Sequence, residues 1–312
     1  MKIPYKQEPL NQFIYTDKKN HVSLYIKRED LIHPTVSGNK LRKLNYNLAY
    51  AEEKNFSTLL TFGGAFSNHI AATAEAAKRC GFKSVGIIRG EELGNNIAKT
   101  FQNNHTLKQA HENGMELRFI SRAAYRGKET QEFLDNINAK YPNAYILPEG
   151  GTNALAIKGC EEILTKEDYI FDYVTCASGT GGTVAGIINS AQKHQQVLAF
   201  SALKGDFLQR EIEKFTHSKR WKLMTSYHFG GYAKVPVKLV DFINDFKRDY
   251  GILLDPIYTG KMLYGIIDLI KNEYFAPHSK ILAIHTGGIQ GIHSINTRLK
   301  AGGRTLINTN YE

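Results

Sequence analysis

Lys40 stands in the run Ser37-Gly38-Asn39-Lys40-Leu41-Arg42-Lys43, where a Ser-Gly-Asn turn leads into a stretch of helical character. A cation at the first turn of a helix opposes the helix dipole, which favours cations at the other end. An amine held there has a depressed pKa, and a neutral amine can attack an aldehyde carbon to form an imine. On spacing alone, the same residue also reads as an exposed lysine beside Arg42 and Lys43.

A second group of residues suits an anion. Ser178, Gly179, Thr180, Gly181 and Gly182 follow an apolar run over 173–177 and open a helical stretch. Glycines there let backbone N–H groups converge, the helix start adds positive potential, and hydroxyls add donors, so the loop fits a phosphate dianion. It lacks the Gly-Lys-Ser/Thr ending of a nucleotide-triphosphatase loop, and no acidic residue stands at a strand end roughly 20 residues on, as a dinucleotide site requires. A plain tight turn with a helix cap is the competing reading. Three more Gly- and Ser-rich junctions occur at Gly63-Gly64-Ala65-Phe66-Ser67-Asn68-His69, Glu149-Gly150-Gly151-Thr152-Asn153 and His285-Thr286-Gly287-Gly288.

These junctions need elements to hold them. Strand-like runs are predicted at 58–62, 84–88, 116–120, 144–147, 173–177, 197–203 and 280–285. Helical segments are predicted at 69–80, 97–113, 128–140, 156–164, 182–193, 237–250, 261–271 and 289–300, with another beginning near Lys40. Such alternation is the pattern of an α/β protein with largely parallel sheets, and open sheets of that kind bind ligands at the carboxyl ends of their strands. At 312 residues the chain exceeds one compact core, so two lobes around a cleft are expected.

Composition narrows the partners. Hydrophobic residues make 42% and charged residues 22%, values of an ordinary globular protein. The net charge of +10 invites a nucleic-acid reading, but the basic residues are scattered among acidic pairs such as Glu52-Glu53 and Glu161-Glu162, without a zinc-ligand spacing. A solvated basic face with some attraction for small anions is the simpler expectation. Cys80, Cys160 and Cys176 are widely spaced and suggest neither disulfides nor a metal. The first 20 residues contain no apolar signal region, so a cytoplasmic protein without a membrane partner is expected.

The run 27–44, taken in order with the junctions above, with Pro148 before the second of them and with Asp255-Pro256-Ile257-Tyr258-Thr259-Gly260-Lys261, is similar to the 1-aminocyclopropane-1-carboxylate deaminase / D-cysteine desulfhydrase family. These are tryptophan-synthase-β-like pyridoxal-phosphate enzymes of fold type II. The resemblance covers nearly the whole chain. It implies a two-lobed fold of open twisted sheets, with 1–49 and 161–312 in a large cofactor-binding domain and 50–160 in a small one, and it implies a homodimer. It implies pyridoxal 5'-phosphate as cofactor and a small amino acid as substrate. Lys40 matches the Schiff-base lysine and Asn39 the residue bonded to the ring 3'-hydroxyl. Ser67, Asn68 and His69 match the element that receives the substrate carboxylate, and Ser178 to Gly182 match the phosphate cradle. Tyr258 matches a catalytic tyrosine facing the substrate, as Tyr232 does within Gly230-Gly231-Tyr232, although its neighbours depart from the family's Tyr-Gly-Leu pattern. Singly, Asn39 reads equally as a helix cap, His69 as a core histidine, Tyr258 as a core aromatic and Ser67 as a turn residue.

Thr259 and Thr286 decide the branch. Sequences resembling the cyclopropane deaminases carry Glu after the tyrosine and Leu in the His-x-Gly-Gly segment; both positions are Thr here, as in the D-cysteine desulfhydrase branch. A carboxylate at the ring nitrogen would hold a proton there, whereas a hydroxyl only shares a hydrogen bond, which suits β-elimination. The resemblance therefore implies a lyase releasing pyruvate, ammonia and sulfide. The alternatives are a cyclopropane deaminase giving 2-oxobutanoate and ammonia, or a small-anion binder without turnover.

Overall fold

A computed structural model describes residues 2–310. Its ten strands form two sheets. Strands β1 (Asn11–Thr16), β2 (Ser23–Lys27), β7 (Tyr173–Ser178), β8 (Gln196–Ser201), β9 (Trp221–Met224) and β10 (Lys280–Ile284) make a six-stranded sheet in the order β1-β2-β10-β7-β8-β9. Strands β3 (Thr58–Gly64), β4 (Lys83–Arg89), β5 (Met115–Ile120) and β6 (Ala144–Leu147) make a four-stranded sheet in the order β5-β4-β3-β6. All pairings are parallel except β1 with β2. Central strands such as Thr58–Gly64 and Lys83–Arg89 are buried along their middles, which is why they read as apolar runs rather than as alternating ones.

The large sheet carries apolar cores on both faces. On one side Leu239, Ile243, Met262, Leu263 and Ile266, from the helices Val237–Tyr250 and Thr259–Lys271, pack with Leu24, Ile26, Leu198 and Phe200. On the other, Ile157 and Cys160 of the helix Ala154–Glu161 and Val184 and Ile187 of the helix Gly182–Ser190 pack with Val174, Cys176 and Val197. The helix Asn39–Glu53, which carries Lys40, faces the smaller sheet: Leu41, Leu44 and Leu48 share a core with Leu59, Ala72, Ala76 and Leu147. Its other neighbour is the helix Ala154–Glu161, where a side-chain carbon at Gly159 would sit 1.9 Å from the Arg42 carbonyl oxygen. Only glycine fits that crossing.

The helix predicted over 97–113 is two helices, Ile97–Asn103 and His105–Glu112, because Asn104 leaves helical geometry and caps the second one through Leu107 N–H. Its amide also donates to Ala65 O at 2.8 Å, tying the break to the junction at 63–69. Strands β1, β2 and β9 lay outside the sequence expectation. Among the described residues no helix is long and apolar enough to cross a membrane.

Candidate functional site

Carboxyl ends of strands from both sheets open on one cleft of about 810 Å³. Lys40 and Asn39 line it at the start of their helix. Lys40 Nζ donates to Asn39 Oδ1 at 3.3 Å, and Asn39 Nδ2 donates to Thr183 Oγ1 at 2.7 Å. The Asn39 backbone N–H donates to Thr286 O at 3.3 Å, so the helix start is bound to the strand end of the opposite sheet. Burial, aided by the like charge of Lys43, brings the Lys40 amine down to about 7. At that value about half of the amine is neutral at pH 7, the state a nucleophile needs.

The turn before Lys40 depends on Gly38. Its φ is +61° and ψ −140°, a region for glycine, and an added side-chain carbon would lie 2.0 Å from Thr286 O. The same close approach that binds Asn39 to Thr286 therefore excludes any other residue.

Opposite Lys40, Ser178 ends β7 and Gly179 to Gly182 lead into the nine-residue helix Gly182–Ser190. Ser178 Oγ is buried and has no hydrogen-bond partner among the described residues. Lys43, which is 2% exposed, donates to Gly150 O and Thr152 Oγ1, both at 3.0 Å, and has no carboxylate partner among the described residues. An ammonium has three donors, so one remains. A side-chain carbon at Gly182 would come within 3.0 Å of Lys43 Nζ, and one at Gly150 within 2.8 Å of Thr180. Glycines, an unpartnered hydroxyl, a helix start and an uncompensated buried cation together form a pocket for a dianion such as a phosphate.

Ser67, Asn68 and His69 line the cleft at the start of the helix Asn68–Cys80. Ser67 caps it, its Oγ accepting from Ile70 N at 3.4 Å. The first N–H groups of such a helix lack partners within it and favour an anion. His69 bonds inward at this wall. Thr61 Oγ1 donates to Leu147 O at 3.0 Å, which leaves its lone pairs to accept from His69 Nε2–H, also at 3.0 Å. The buried Nδ1 atom then carries the lone pair, and it has no partner among the described residues. Burial and the charges of Lys40 and Lys43 hold the imidazole well below its usual pKa, so it stays neutral. The groups at this wall that could donate to an anion are thus the helix N–H groups with Ser67 and Asn68, and the free imidazole nitrogen is an acceptor.

Tyr258 and Tyr232 also line the cleft, their rings 6.3 Å apart and edge to face. Burial and the neighbouring Tyr232 and Asp255 push the Tyr258 hydroxyl well above its usual pKa, so it keeps its proton. Thr286 lines the cleft as well. Thr259 does not. Its side chain is fully buried one layer behind, with Oγ1 donating to Asp255 Oδ2 at 2.8 Å and accepting from Asp255 N at 3.0 Å. The Thr259 hydroxyl belongs to the Asp255 turn, where Asp255 also accepts from the N–H groups of Ile257, Tyr258 and Thr259.

Sequence reasoning missed several lining residues, among them Lys43, Arg89 and Gln290. For Lys43 a signal existed, because i and i+3 share a helix face, so a lysine three residues after Lys40 must look toward the same cleft. The others reach the cleft by tertiary placement alone.

Residues 3–287 match a protein family described as pyridoxal-phosphate dependent enzyme. A putative 1-aminocyclopropane-1-carboxylate deaminase of Pyrococcus furiosus is 31% identical over 93% of this chain and 91% of its own length. The mitochondrial bifunctional D-cysteine desulfhydrase/1-aminocyclopropane-1-carboxylate deaminase of Arabidopsis thaliana is 30% identical over 91% of this chain and 77% of its own. A crystal structure of an ACC deaminase homologue superposes with a TM-score of 0.79 at 28% identity, covering 96% of each chain.

Proposed function

Since the chain belongs to the pyridoxal-phosphate dependent enzymes, in the family of the 1-aminocyclopropane-1-carboxylate deaminases and D-cysteine desulfhydrases, we propose that it catalyses β-elimination on a small amino acid, with D-cysteine and water giving pyruvate, ammonia and hydrogen sulfide. The observation that carries the choice of elimination is the state of Asp255. Four donors occupy this buried carboxylate, and Thr259 stands on it, so the cleft wall at Thr286 to Gly288 presents a hydroxyl and backbone groups rather than an acid. That wall suits a ring nitrogen left unprotonated.

The residues that would hold pyridoxal phosphate are Lys40 at its aldehyde, Asn39 beside the ring, Thr286 at the ring nitrogen, and Ser178 to Gly182 with Lys43 at the phosphate. When bound, the cofactor supplies a carbonyl for the substrate amine and a ring that draws electrons from Cα. The Lys40 amine, about half neutral at pH 7 and more so above it, accepts the Cα proton. The N–H groups at the start of the helix Asn68–Cys80, with Ser67 and Asn68, hold the substrate carboxylate and so fix which Cα bond faces Lys40. Tyr258, which keeps its proton, donates to the departing sulfur, and Tyr232 at its edge orients that hydroxyl.

Two measurements follow. With D-cysteine, β-chloro-D-alanine, L-serine and the cyclopropane amino acid compared in steady state, keto acid is expected from the β-substituted D-amino acids; release from the cyclopropane substrate alone overturns the reading in favour of the activity that names the Pyrococcus relative. Lys43→Met is expected to weaken cofactor binding by roughly tenfold or more, since a charge-assisted contact to the phosphate is lost. Equilibrium dialysis of the cofactor reads that change directly, and an unchanged dissociation constant removes Lys43 from the cradle.

A further inference from the structure

A second cavity, of about 1090 Å³, adjoins the first, and Gly64, Arg89, Lys128 and Tyr232 line both. Its walls carry six cations, Arg89, Lys99, Arg122, Arg126, Lys128 and Arg298, against one carboxylate, Glu92. Glu92 pairs with Arg122, and Lys128 has Glu149 at 3.3 Å. Arg89, Lys99, Arg126 and Arg298 have no carboxylate partner among the described residues. Two of these guanidinium groups are set in place by rings, Arg298 over Phe66 and Arg89 over Tyr125, each 5.7 Å from the centroid. A ring face attracts a guanidinium without using up its N–H donors, which stay available to an acid.

We propose that this outer cavity is a subsite for a small oxyanion carried at the far end of the β-substituent of the substrate. The proposal rests on the elimination reading above, with the reacting carbon at Lys40 and the substituent leaving the inner cleft past Arg89 and Tyr232. The α-carboxylate already has its place at the start of the helix Asn68–Cys80, so a second acidic group on the substrate meets a second, separate set of donors. Four unpaired cations around one concave surface attract an anion and disfavour a cation of the same shape. Part of the chain's +10 charge is thereby concentrated at one mouth rather than spread over a solvated face.

S-Carboxymethyl-D-cysteine and its amide, S-carbamoylmethyl-D-cysteine, have the same shape and differ in charge, and they test the subsite on the holoenzyme. In each the Cβ–S bond breaks with its electron pair on sulfur, the thiolate takes up a proton, and water converts the remainder to pyruvate and ammonia. The acid is expected to exceed the amide in kcat/KM by about tenfold or more, chiefly through KM. In an Arg89→Gln/Arg126→Gln protein that ratio is expected to fall toward one, and Arg89→Lys is expected to restore part of it. A ratio of one or less in the unaltered enzyme, or a ratio the substitutions leave unchanged, overturns the subsite. Calorimetric dissociation constants for the two compounds keep this failure separate from failure of the elimination reading. If neither compound is turned over but the acid binds more tightly in an Arg89-dependent way, the subsite stands and elimination falls; if neither binds, the subsite falls too.

Discussion

A Lys40→Ala enzyme is expected to lose the yellow colour of the cofactor-loaded protein and to drop in kcat/KM by roughly four orders of magnitude or more, the scale seen when a covalent nucleophile is removed. The other lysines that line the cleft are engaged elsewhere: Lys128 has Glu149 at 3.3 Å and Lys214 donates to Glu211 at 2.7 Å. Lys43 is held by Gly150 O and Thr152 Oγ1, and Lys261, in the helix Thr259–Lys271, donates to the carbonyls of His228 and Gly231, away from the cleft. Absorption spectra and mass spectrometry after borohydride reduction read the attachment; colour and reduced adduct persisting in the alanine protein would remove Lys40 from its role. The same amine sets a pH profile. Because its pKa is about 7 rather than the ordinary 10.5, attachment and turnover rise between about pH 6 and pH 8 and then level. For the cofactor-free protein the sign is opposite to that of a paired lysine. Between pH 7 and 10.5 the folded chain binds fewer protons at Lys40 than the unfolded chain does, so this residue's penalty on folding is full below pH 7 and disappears as pH rises through that window.

Gly38→Ala is expected to destabilise the protein by roughly 2–4 kcal/mol, combining a backbone region reserved for glycine with a collision against a main-chain oxygen. The obstructing atom is Thr286 O, 2.0 Å from the new carbon, and it cannot rotate aside as a side chain would. Relief requires the turn to move away from Thr286, which breaks the Asn39 N–H bond and displaces Lys40. Urea denaturation should show the midpoint shift, and the cofactor dissociation constant should rise with it. An alanine protein of unaltered stability and affinity would show that the turn is softer than its geometry implies.

The parts of the molecule visible in the sequence are those built from continuous apolar runs. Seven parallel strands were expected near their observed positions; five of them, β3, β4, β7, β8 and β10, are buried along most of their length and so must be apolar there, whereas the edge strands β5 and β6 are partly exposed. The missed strands are β1, β2 and β9. Strand β1 runs along an edge with Phe13 exposed and a register shift between Phe13 and Tyr15, β9 is a four-residue edge strand, and β2 ends on Lys27, whose burial depends on Asp168, distant in sequence. In the site, Lys40, the Ser178 loop and the Ser67 helix start were readable because backbone chemistry demands glycine and hydroxyl residues there. The bond from the Thr259 hydroxyl to Asp255 was not readable, because nothing local in the sequence shows that the turn closes on that carboxylate. Arg89 and Gln290 gave no local signal at all.

The strand order of the large sheet also bears on how the protein is made. Strand β2, from Ser23 to Lys27, takes its parallel partner from β10, Lys280 to Ile284, and Lys40 follows β2 by 13 residues while its turn is held by Thr286. On the ribosome the four-stranded sheet can close once residue 147 has emerged, since all its pairings lie within 58–147. The six-stranded sheet has to wait for nearly twice that length of chain, and contacts this distant in sequence form slowly. Through that interval Leu24 and Ile26, fully buried in the finished fold, lack the strand that will cover their edge. The reactive lysine is made early and becomes reactive late, so a nascent chain carries no activated amine until its last sheet strand has been synthesised.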